Sequence, residues 1–393
     1  MHLTKKQFIT TLLTVILTMS LYSQSSDIIE DKTYVKQIKK ITENNNVKNA
    51  FQLILDLEEK TQKHLIELTE IEAPPFKEDK RAKEFAKRLK ETGIENVWID
   101  KEGNVLGLMQ GYEGKKTIAI DAHLDTVFPE GTDVKVRIDN DTLFAPGIGD
   151  DTRGLAMLLT ISESINKSNI VTRDNVLFVG TVGEEGLGDL RGVKYLFKGN
   201  NPKIDSWIAI DGGEIGRVNN QGLGSYRYEV IFEGPGGHSW GAFGLANPHH
   251  AIGKTITSFV EKADNYTLSG PKTSYNVGII SGGTSINSIP YESKMLVDIR
   301  SVEPERLDAM EKILKSAAKD ALMYQNKIKR QGPELKLIIN KIGNRPSGKV
   351  DVSTPLIQRT IAATKYFGTE PRLTIGSVSY THLTLPRLSV CRS

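Results

Sequence analysis

Residues 117–126 have the sequence Thr-Ile-Ala-Ile-Asp-Ala-His-Leu-Asp-Thr, in which a short apolar run passes directly into acidic residues and a histidine. Two further apolar runs, residues 176–179 and 207–210, also lead into acidic and glycine-rich segments. Continuous apolar strands are typical of a sheet that is covered on both faces. Residues 155–165 show helical apolar spacing between two of these strands. The sequence therefore predicts an α/β fold in which a mostly parallel central sheet is flanked by helices.

The carboxyl ends of parallel strands meet at one edge of a sheet, where the sites of α/β proteins form. Side chains that can bind a metal ion follow the apolar runs, and they are His123, Asp125, Asp150, Glu184, Glu185 and Asp211. Singly, each has an ordinary explanation, such as a packed histidine, a helix cap or solvated charge. Together they predict a hard, oxygen-rich metal centre with one imidazole, because adjacent buried glutamates repel each other unless a cation compensates them or one is protonated.

The spacing of His123 and Asp125 adds a detail to this prediction. In an extended segment the two side chains project to the same side. Asp125 could therefore accept a hydrogen bond from one imidazole nitrogen while the other nitrogen binds a metal.

The composition limits the alternatives. The chain has 393 residues, 38% hydrophobic and 25% charged, which favours two domains and excludes a disordered chain, a collagen-like repeat and a polytopic membrane protein. The formal net charge is only +3, so we expect no nucleic-acid partner. The only cysteine is Cys391, which excludes a disulfide framework, a Cys-ligated zinc site and a thiol nucleophile in the main body of the chain.

From about residue 223 the pattern changes to alternating strands and longer amphipathic helices. Strands are predicted at residues 226–232, 275–280, 294–300 and 335–342, and helices at 248–262 and 303–326. Their β-α-β-β-α-β order predicts an inserted α+β domain over residues 223–343. We expect the catalytic domain to comprise residues 24–222 and a return segment at residues 344–377.

In combination, these motifs resemble those of the zinc aminoacylase/carboxypeptidase metallopeptidase superfamily, which includes peptidase T, glutamate carboxypeptidase and succinyl-diaminopimelate desuccinylase. The resemblance extends from about residue 71 to residue 377 and implies two zinc ions, for which cobalt or manganese could substitute. It implies that His123 and Asp211 are ligands of one metal, that Glu185 is a ligand of the other, that Asp150 bridges both, that Asp125 orients His123 and that Glu184 is the general base. It also implies a cis peptide bond between Asp150 and Asp151.

The second domain carries motifs that resemble the superfamily's lid and dimerisation domain. Residues 234–239, Gly-Pro-Gly-Gly-His-Ser, resemble the lid motif, in which His238 would reach a substrate carbonyl, often across a homodimer interface. Residues 281–290 resemble the substrate-binding loop, with Asn287 as the polar contact. Arg300 corresponds to the arginine that holds the substrate carboxylate. Without the resemblance, His238 would be a surface loop residue and Arg300 a strand-edge charge.

The amino terminus has the pattern of a secretory signal peptide. Residues 1–23 combine a basic start with an apolar run and end near small polar residues. The alternative, an uncleaved anchor helix, would need about 20 apolar residues. We therefore expect an exported protein, periplasmic or secreted, with no stable membrane span after cleavage.

The carboxyl terminus has a different character. Residues 378–386, Val-Ser-Tyr-Thr-His-Leu-Thr-Leu-Pro, match one reading frame of a common transposon-based sequencing adapter. We therefore expect residues 378–393 to be a non-native tail, the alternative being a genuine Thr-rich tail. Superfamily members complete the second metal site with a later histidine. On this interpretation His382 is not that ligand, and the chain lacks it.

These features together predict a di-zinc metallopeptidase that hydrolyses amide bonds of short peptides through a metal-bridging water, with Glu184 as the general base. An N-acyl-amino-acid deacylase could use the same site, because such a substrate also places an amide beside a carboxylate. A metal-poor, non-catalytic chain is the remaining alternative if the last histidine ligand is missing. A dinucleotide-binding enzyme is disfavoured, because acidic residues after the glycines of residues 147–149 would repel a pyrophosphate.

Overall fold

The computed structural model describes residues 30–198, 202–212 and 214–376. The predicted signal peptide and the predicted non-native tail lie outside these residues. No helix within the described segments is long and apolar enough to cross a bilayer.

The first half of the described chain alternates helices with short strands. In chain order its elements are α1 (Lys32–Thr42), α2 (Asn45–Asp56), α3 (Glu58–Thr69), α4 (Asp79–Glu91), β1 (Asn96–Ile99), β2 (Val105–Met109), β3 (Thr117–His123), β4 (Arg137–Asp139), β5 (Thr142–Phe144), α5 (Arg153–Lys167), β6 (Asn175–Thr181), α6 (Arg191–Leu196), β7 (Ser206–Ala209) and β8 (Arg217–Gly222). A π-helical turn at Ile148–Thr152 leads into α5, and a 3₁₀ turn at Gly186–Gly188 precedes α6.

Five of these strands form the central sheet, in the order β1-β2-β6-β3-β7. β3 is parallel to β6 and β7, whereas β2 is antiparallel to β1 and β6. Alternate residues of β6 point to opposite faces: Phe178 packs in the cluster that contains Phe85 of α4 and Leu155 of α5, while Leu177 packs with Leu196 of α6. The predicted α/β class, with helices on both faces of a sheet, is confirmed.

The second half of the chain begins with a longer strand and contains the two longest helices of the described segments. In chain order its elements are β9 (Gly224–Glu233), β10 (Gly237–His238), α7 (Pro248–Thr267), β11 (Thr273–Gly282), β12 (Ser288–Ile289), β13 (Glu292–Ser301), α8 (Pro304–Ile328), β14 (Lys336–Arg345), β15 (Gly348–Lys349), α9 (Pro355–Tyr366) and β16 (Arg372–Gly376). A proline lies in the first turn of α7, α8 and α9, where its fixed φ and missing N–H favour a helix start.

An antiparallel four-stranded sheet in the order β11-β13-β9-β14 organises this half. Its main elements follow the predicted order β-α-β-β-α-β. The helices α7 and α8 bury their apolar residues on this sheet, where Phe259 and Leu314 pack with Tyr228, Phe232 and Met295. The role of this unit as a lid and dimerisation domain stays a prediction.

The chain returns to the first half through β15, α9 and β16. β16 pairs in parallel with β8, and β15 pairs with the other edge of β8. Phe367, directly after α9, packs edge-on against Phe51 of α2 with a ring-centroid distance of 5.4 Å. This return brings Ile375 and Gly376 to a cavity that Asp150 and Glu185 also line.

Candidate metal centre

The parallel register of the central sheet aligns the segments that carry the predicted site residues. His123, the last residue of β3, lies opposite Thr181, the last residue of β6. Beyond the strand ends, the Leu124 N–H donates to the Thr181 carbonyl at 2.7 Å. On the other side of β3, the Ile210 N–H donates to the Asp121 carbonyl at 2.7 Å. The acidic residues that follow β3, β6 and β7 therefore emerge at the same edge of the sheet.

Three of the predicted metal ligands form a compact donor group. His123, Asp150 and Glu185 each offer one ligand atom, and these atoms lie within 4.8 Å of one another. The His123 Nε2 is 2.8 Å from Asp150 Oδ1, with the imidazole fully buried and the Asp150 side chain 62% exposed. Asp211 lies in the same cavity of about 410 Å³ as Asp150, Glu184 and Glu185. The structure thus brings three predicted ligands and the predicted base to one cavity, and the fourth ligand, His123, is buried directly behind Asp150.

The electrostatics of this cavity favour a cation. Burial, together with the neighbouring Glu184 carboxylate, raises the pKa of Glu185 to about 7. Burial also raises the pKa of Asp211 to about 6, with further repulsion from Asp150 and Glu184. One imidazole and several crowded carboxylates are a donor set that suits zinc, cobalt or manganese. The residues present therefore fit a divalent metal centre.

Asp125 is fully buried and fixes the turn that carries both glutamates. Its carboxylate accepts the backbone N–H of Glu184 at 3.0 Å and that of Glu185 at 2.8 Å. The His123 Nδ1 lies 2.9 Å from the Asp125 main-chain carbonyl and 3.7 Å from its carboxylate. Asp125 therefore stands beside the imidazole, as predicted, but it contacts the ring more closely through its backbone. Its carboxylate orders the Glu184–Glu185 turn, which the sequence analysis did not foresee.

The two adjacent aspartates after Gly149 have separate environments. The peptide bond between Asp150 and Asp151 is cis. Asp150 faces the cavity, whereas the buried Asp151 carboxylate accepts the N–H of His123 at 3.0 Å and that of Gly154 at 3.2 Å. A Cβ at Gly154 would lie 2.3 Å from the Asp151 Oδ1. Glycine is thus required at this position by the close approach of the Asp151 side chain.

Two side chains that support the Glu184–Glu185 turn were not predicted from the sequence. Glu78 is 3% exposed and accepts the Gly183 N–H at 3.1 Å, and Arg191 donates to Glu78 at 2.6 Å. Glu78 immediately precedes α4, a position where an acidic residue is expected for its favourable interaction with the helix dipole. The local pattern therefore suggested an ordinary surface role.

A third missed residue, Arg345, reaches the same turn from the end of β14. Its Nη2 donates to the Glu184 carbonyl at 2.6 Å, and its Nη1 is 3.6 Å from the Glu184 Oε1. Its only sequence signal is an arginine three residues after a predicted strand, a position typical of an exposed surface charge. The burial of Arg345 becomes visible only when the two halves of the chain are placed together.

The predicted substrate residues are divided between two places. Arg300 lines the cavity, and its Nε donates to Asp298 at 2.7 Å. His238 and Asn287 are exposed; His238 ends β10, Asn287 directly precedes the paired strand β12, and the Ser239 N–H donates to the Asn287 carbonyl at 2.9 Å. Neither is among the described residues that line the cavity. Within one chain, the structure therefore brings Arg300 to the acidic cluster but leaves His238 and Asn287 apart from it.

Comparisons with known proteins identify a family and a relative. The model of peptidase family M20/M25/M40 matches residues 119–382. The uncharacterized protein YqjE of Bacillus subtilis is 23% identical over 280 residues, which cover 67% of this chain and 72% of the relative.

Two solved structures show the same fold at low sequence identity. Aminopeptidase PepT from Bacillus cereus has a TM-score of 0.64 and 20% identity, covering 84% of this chain and 87% of its own. The di-peptidase Dug1p from Saccharomyces cerevisiae has a TM-score of 0.67 and 18% identity, covering 87% of this chain and 89% of its own.

Proposed function

The chain belongs to peptidase family M20/M25/M40 and is a hydrolase, and from this premise we propose that it is a metal-dependent peptidase that cleaves the amide bonds of short peptides. One observation carries the proposal. The ligand atoms of His123, Asp150 and Glu185 converge within 4.8 Å at a cavity that Glu184 also lines. A metal-binding group with a further carboxylate beside it suits metal-assisted amide hydrolysis, in which the metal activates water and the carboxylate transfers the proton.

In this proposal His123, Asp150, Glu185 and Asp211 hold two zinc ions. The support is the donor set, in which three carboxylates share a cavity, a buried imidazole contacts one of them, and two of the carboxylates have raised pKa values. When bound, the zinc ions would supply a Lewis acid that activates water and polarises the substrate carbonyl.

Glu184 is the proposed general base. It is 7% exposed, and its backbone is held on both sides, by Asp125 at the N–H and by Arg345 at the carbonyl. These contacts restrict where its carboxylate can lie. We assign it removal of a proton from the attacking water and delivery of that proton to the leaving amine, which needs no covalent intermediate.

Arg300 is the proposed contact for the substrate carboxylate. Asp298 orients its guanidinium, and a carboxylate can accept a charge-assisted hydrogen bond from it. We propose that the exposed residues His238 and Asn287 act on substrate bound to a second copy of the chain, in a homodimer formed through residues 223–343. Both residues are exposed and neither lines the cavity of its own chain, which supports this assignment. An N-acyl amino acid presents the same amide and carboxylate, so deacylation of such compounds is the second candidate activity.

The test compares the wild-type protein with Glu184→Gln and His123→Ala. We expect Glu184→Gln to keep its bound metal, measured by elemental analysis, while hydrolysis of dipeptides falls by about 10²–10⁴-fold. His123→Ala should lose metal as well as activity. Dipeptides and N-acetyl amino acids assayed side by side distinguish the two candidate activities. Normal turnover by Glu184→Gln would remove the assignment of the base, and a metal-free wild-type protein would contradict the metal centre.

A further inference from the structure

The cavity that contains the acidic cluster also has a basic side. Four arginines line it, and they are Arg217, Arg227, Arg300 and Arg345. They come from four strands, at the start of β8, near the start of β9, and at the ends of β13 and β14. This concentration of guanidinium groups is more than one substrate carboxylate requires.

Three of the four arginines have acidic partners within the described chain. Arg227 and Arg300 share Asp298, whose two carboxylate oxygens lie 3.2 Å and 2.7 Å from their Nε atoms. Arg345 lies against Glu184 and Asp189. The single charge of Asp298 thus faces two guanidinium groups, which leaves net positive charge around Arg300, the proposed contact for the α-carboxylate.

Arg217 differs from the other three. Its side chain is exposed at the cavity, and no hydrogen bond or ion pair joins it to another side chain in the segments that the structure describes. Glu214, three residues earlier, is engaged by Arg372, which is the register partner of Arg217 on β16. Glu214 is therefore already paired with Arg372. The charge of Arg217 partly offsets the rise in the pKa of Asp211, and its guanidinium can also bind an anion in the cavity.

We propose that Arg217 binds a second substrate carboxylate, so that the enzyme prefers short peptides with one acidic side chain in addition to the terminal α-carboxylate. The inference rests on the proposed function, because it assigns the α-carboxylate to Arg300. A guanidinium presents several N–H donors in a planar fork that matches a carboxylate. An amide side chain of the same shape carries no charge and offers only one carbonyl oxygen to that fork.

The test uses two isosteric substrate pairs, Ala-Glu against Ala-Gln and Glu-Ala against Gln-Ala. We expect at least one pair to show a preference of about tenfold in kcat/KM for the acidic member, the size of one charge-assisted hydrogen bond. Arg217→Gln should bring that ratio close to one. Arg173→Gln is the control, since it removes the same charge from an exposed arginine that does not line the cavity, and it should keep the wild-type ratio. Equal rates within both pairs, or a preference that survives Arg217→Gln, would overturn the proposal.

A binding measurement separates this proposal from the proposed function. Titration calorimetry with N-acetylglutamate and N-acetylglutamine reports affinity whether or not the compounds are hydrolysed. We expect wild-type protein and Arg173→Gln to bind the dicarboxylate about tenfold more tightly, and Arg217→Gln to bind the two compounds alike. If no dipeptide or N-acyl amino acid is hydrolysed but this difference is seen, the peptidase assignment fails and the anion site stands. Equal affinities in the wild-type protein would refute the anion site.

Discussion

Replacing Arg345 by methionine tests whether a residue of the second sheet positions the proposed catalytic base. Arg345 is 8% exposed, and its shortest contact is the 2.6 Å hydrogen bond to the Glu184 carbonyl. Its two ion pairs, with Glu184 and Asp189, are longer, at 3.6 Å and 3.5 Å. Asp189 keeps the Asn344 N–H and Lys194 as partners when the guanidinium is removed. Methionine retains most of the apolar stem but none of the donors.

The expected loss in the free energy of unfolding is about 2–3 kcal/mol. A hydrogen bond to a charged group contributes about 1.5–3 kcal/mol, and the longer ion pairs add little because Asp189 remains partnered. A domain stable by about 5–15 kcal/mol stays folded after such a loss. Catalysis should suffer more, because a displacement of about 1 Å in a reacting group can cost about 10²-fold in rate. We therefore expect kcat to fall by about 10²-fold with a much smaller change in KM.

Arg88→Met is the matched control for this experiment. Arg88 is also 8% exposed and pairs with Glu84 at 2.8 Å and with Glu67 at 2.9 Å, and it does not line the cavity. The two variants are compared by urea unfolding and by steady-state kinetics on a dipeptide. Arg345→Lys should recover part of the lost kcat. If Arg345→Met and Arg88→Met lose similar stability and have the same kcat, Arg345 has only a structural role and the positioning argument is refuted.

Two further predictions concern stability away from the cavity. Burial, with the nearby charges of Arg88 and Lys60, lowers the pKa of His64 below its ordinary value of 6.5. The unfolded chain therefore binds more protons than the folded chain once the pH falls below about 6.5. The free energy of unfolding should therefore decrease as the pH falls from 7.5 to 5, and urea titrations should show a smaller decrease for His64→Gln. If the free energy of unfolding depends on pH equally in both proteins, the lowered pKa is contradicted. Phe259 is fully buried between α7 and the second sheet, and Phe259→Ala should cost about 3–5 kcal/mol. The control Phe243→Ala, at a site that is 65% exposed, should cost less than about 1 kcal/mol. A similar loss in both variants would show that Phe259 is not buried against the antiparallel sheet.

Much of the architecture could be predicted from local sequence patterns. The β-α-β-β-α-β order followed from alternating apolar strands and amphipathic helices, and it matches β9, α7, β11, β13, α8 and β14. The cluster of possible metal ligands could be predicted because the apolar runs lead into segments with ionisable residues, and parallel strands place such segments at one edge. The antiparallel pairing of β2 with β6 has no such local signal, since it joins residues more than 65 positions apart.

The sequence by itself determined which segments become helices and strands and which side chains can bind a metal, because periodicity and residue chemistry are properties of short stretches. Only the tertiary structure decided that Asp125 orders the glutamate turn, that Arg345 reaches the Glu184 backbone from β14, and that Arg217 faces the acidic cluster. It also separated Asp150, which faces the cavity, from Asp151, which is buried in the interior. These outcomes depend on contacts between residues far apart in the chain, and such contacts form only when the sheets and helices pack together.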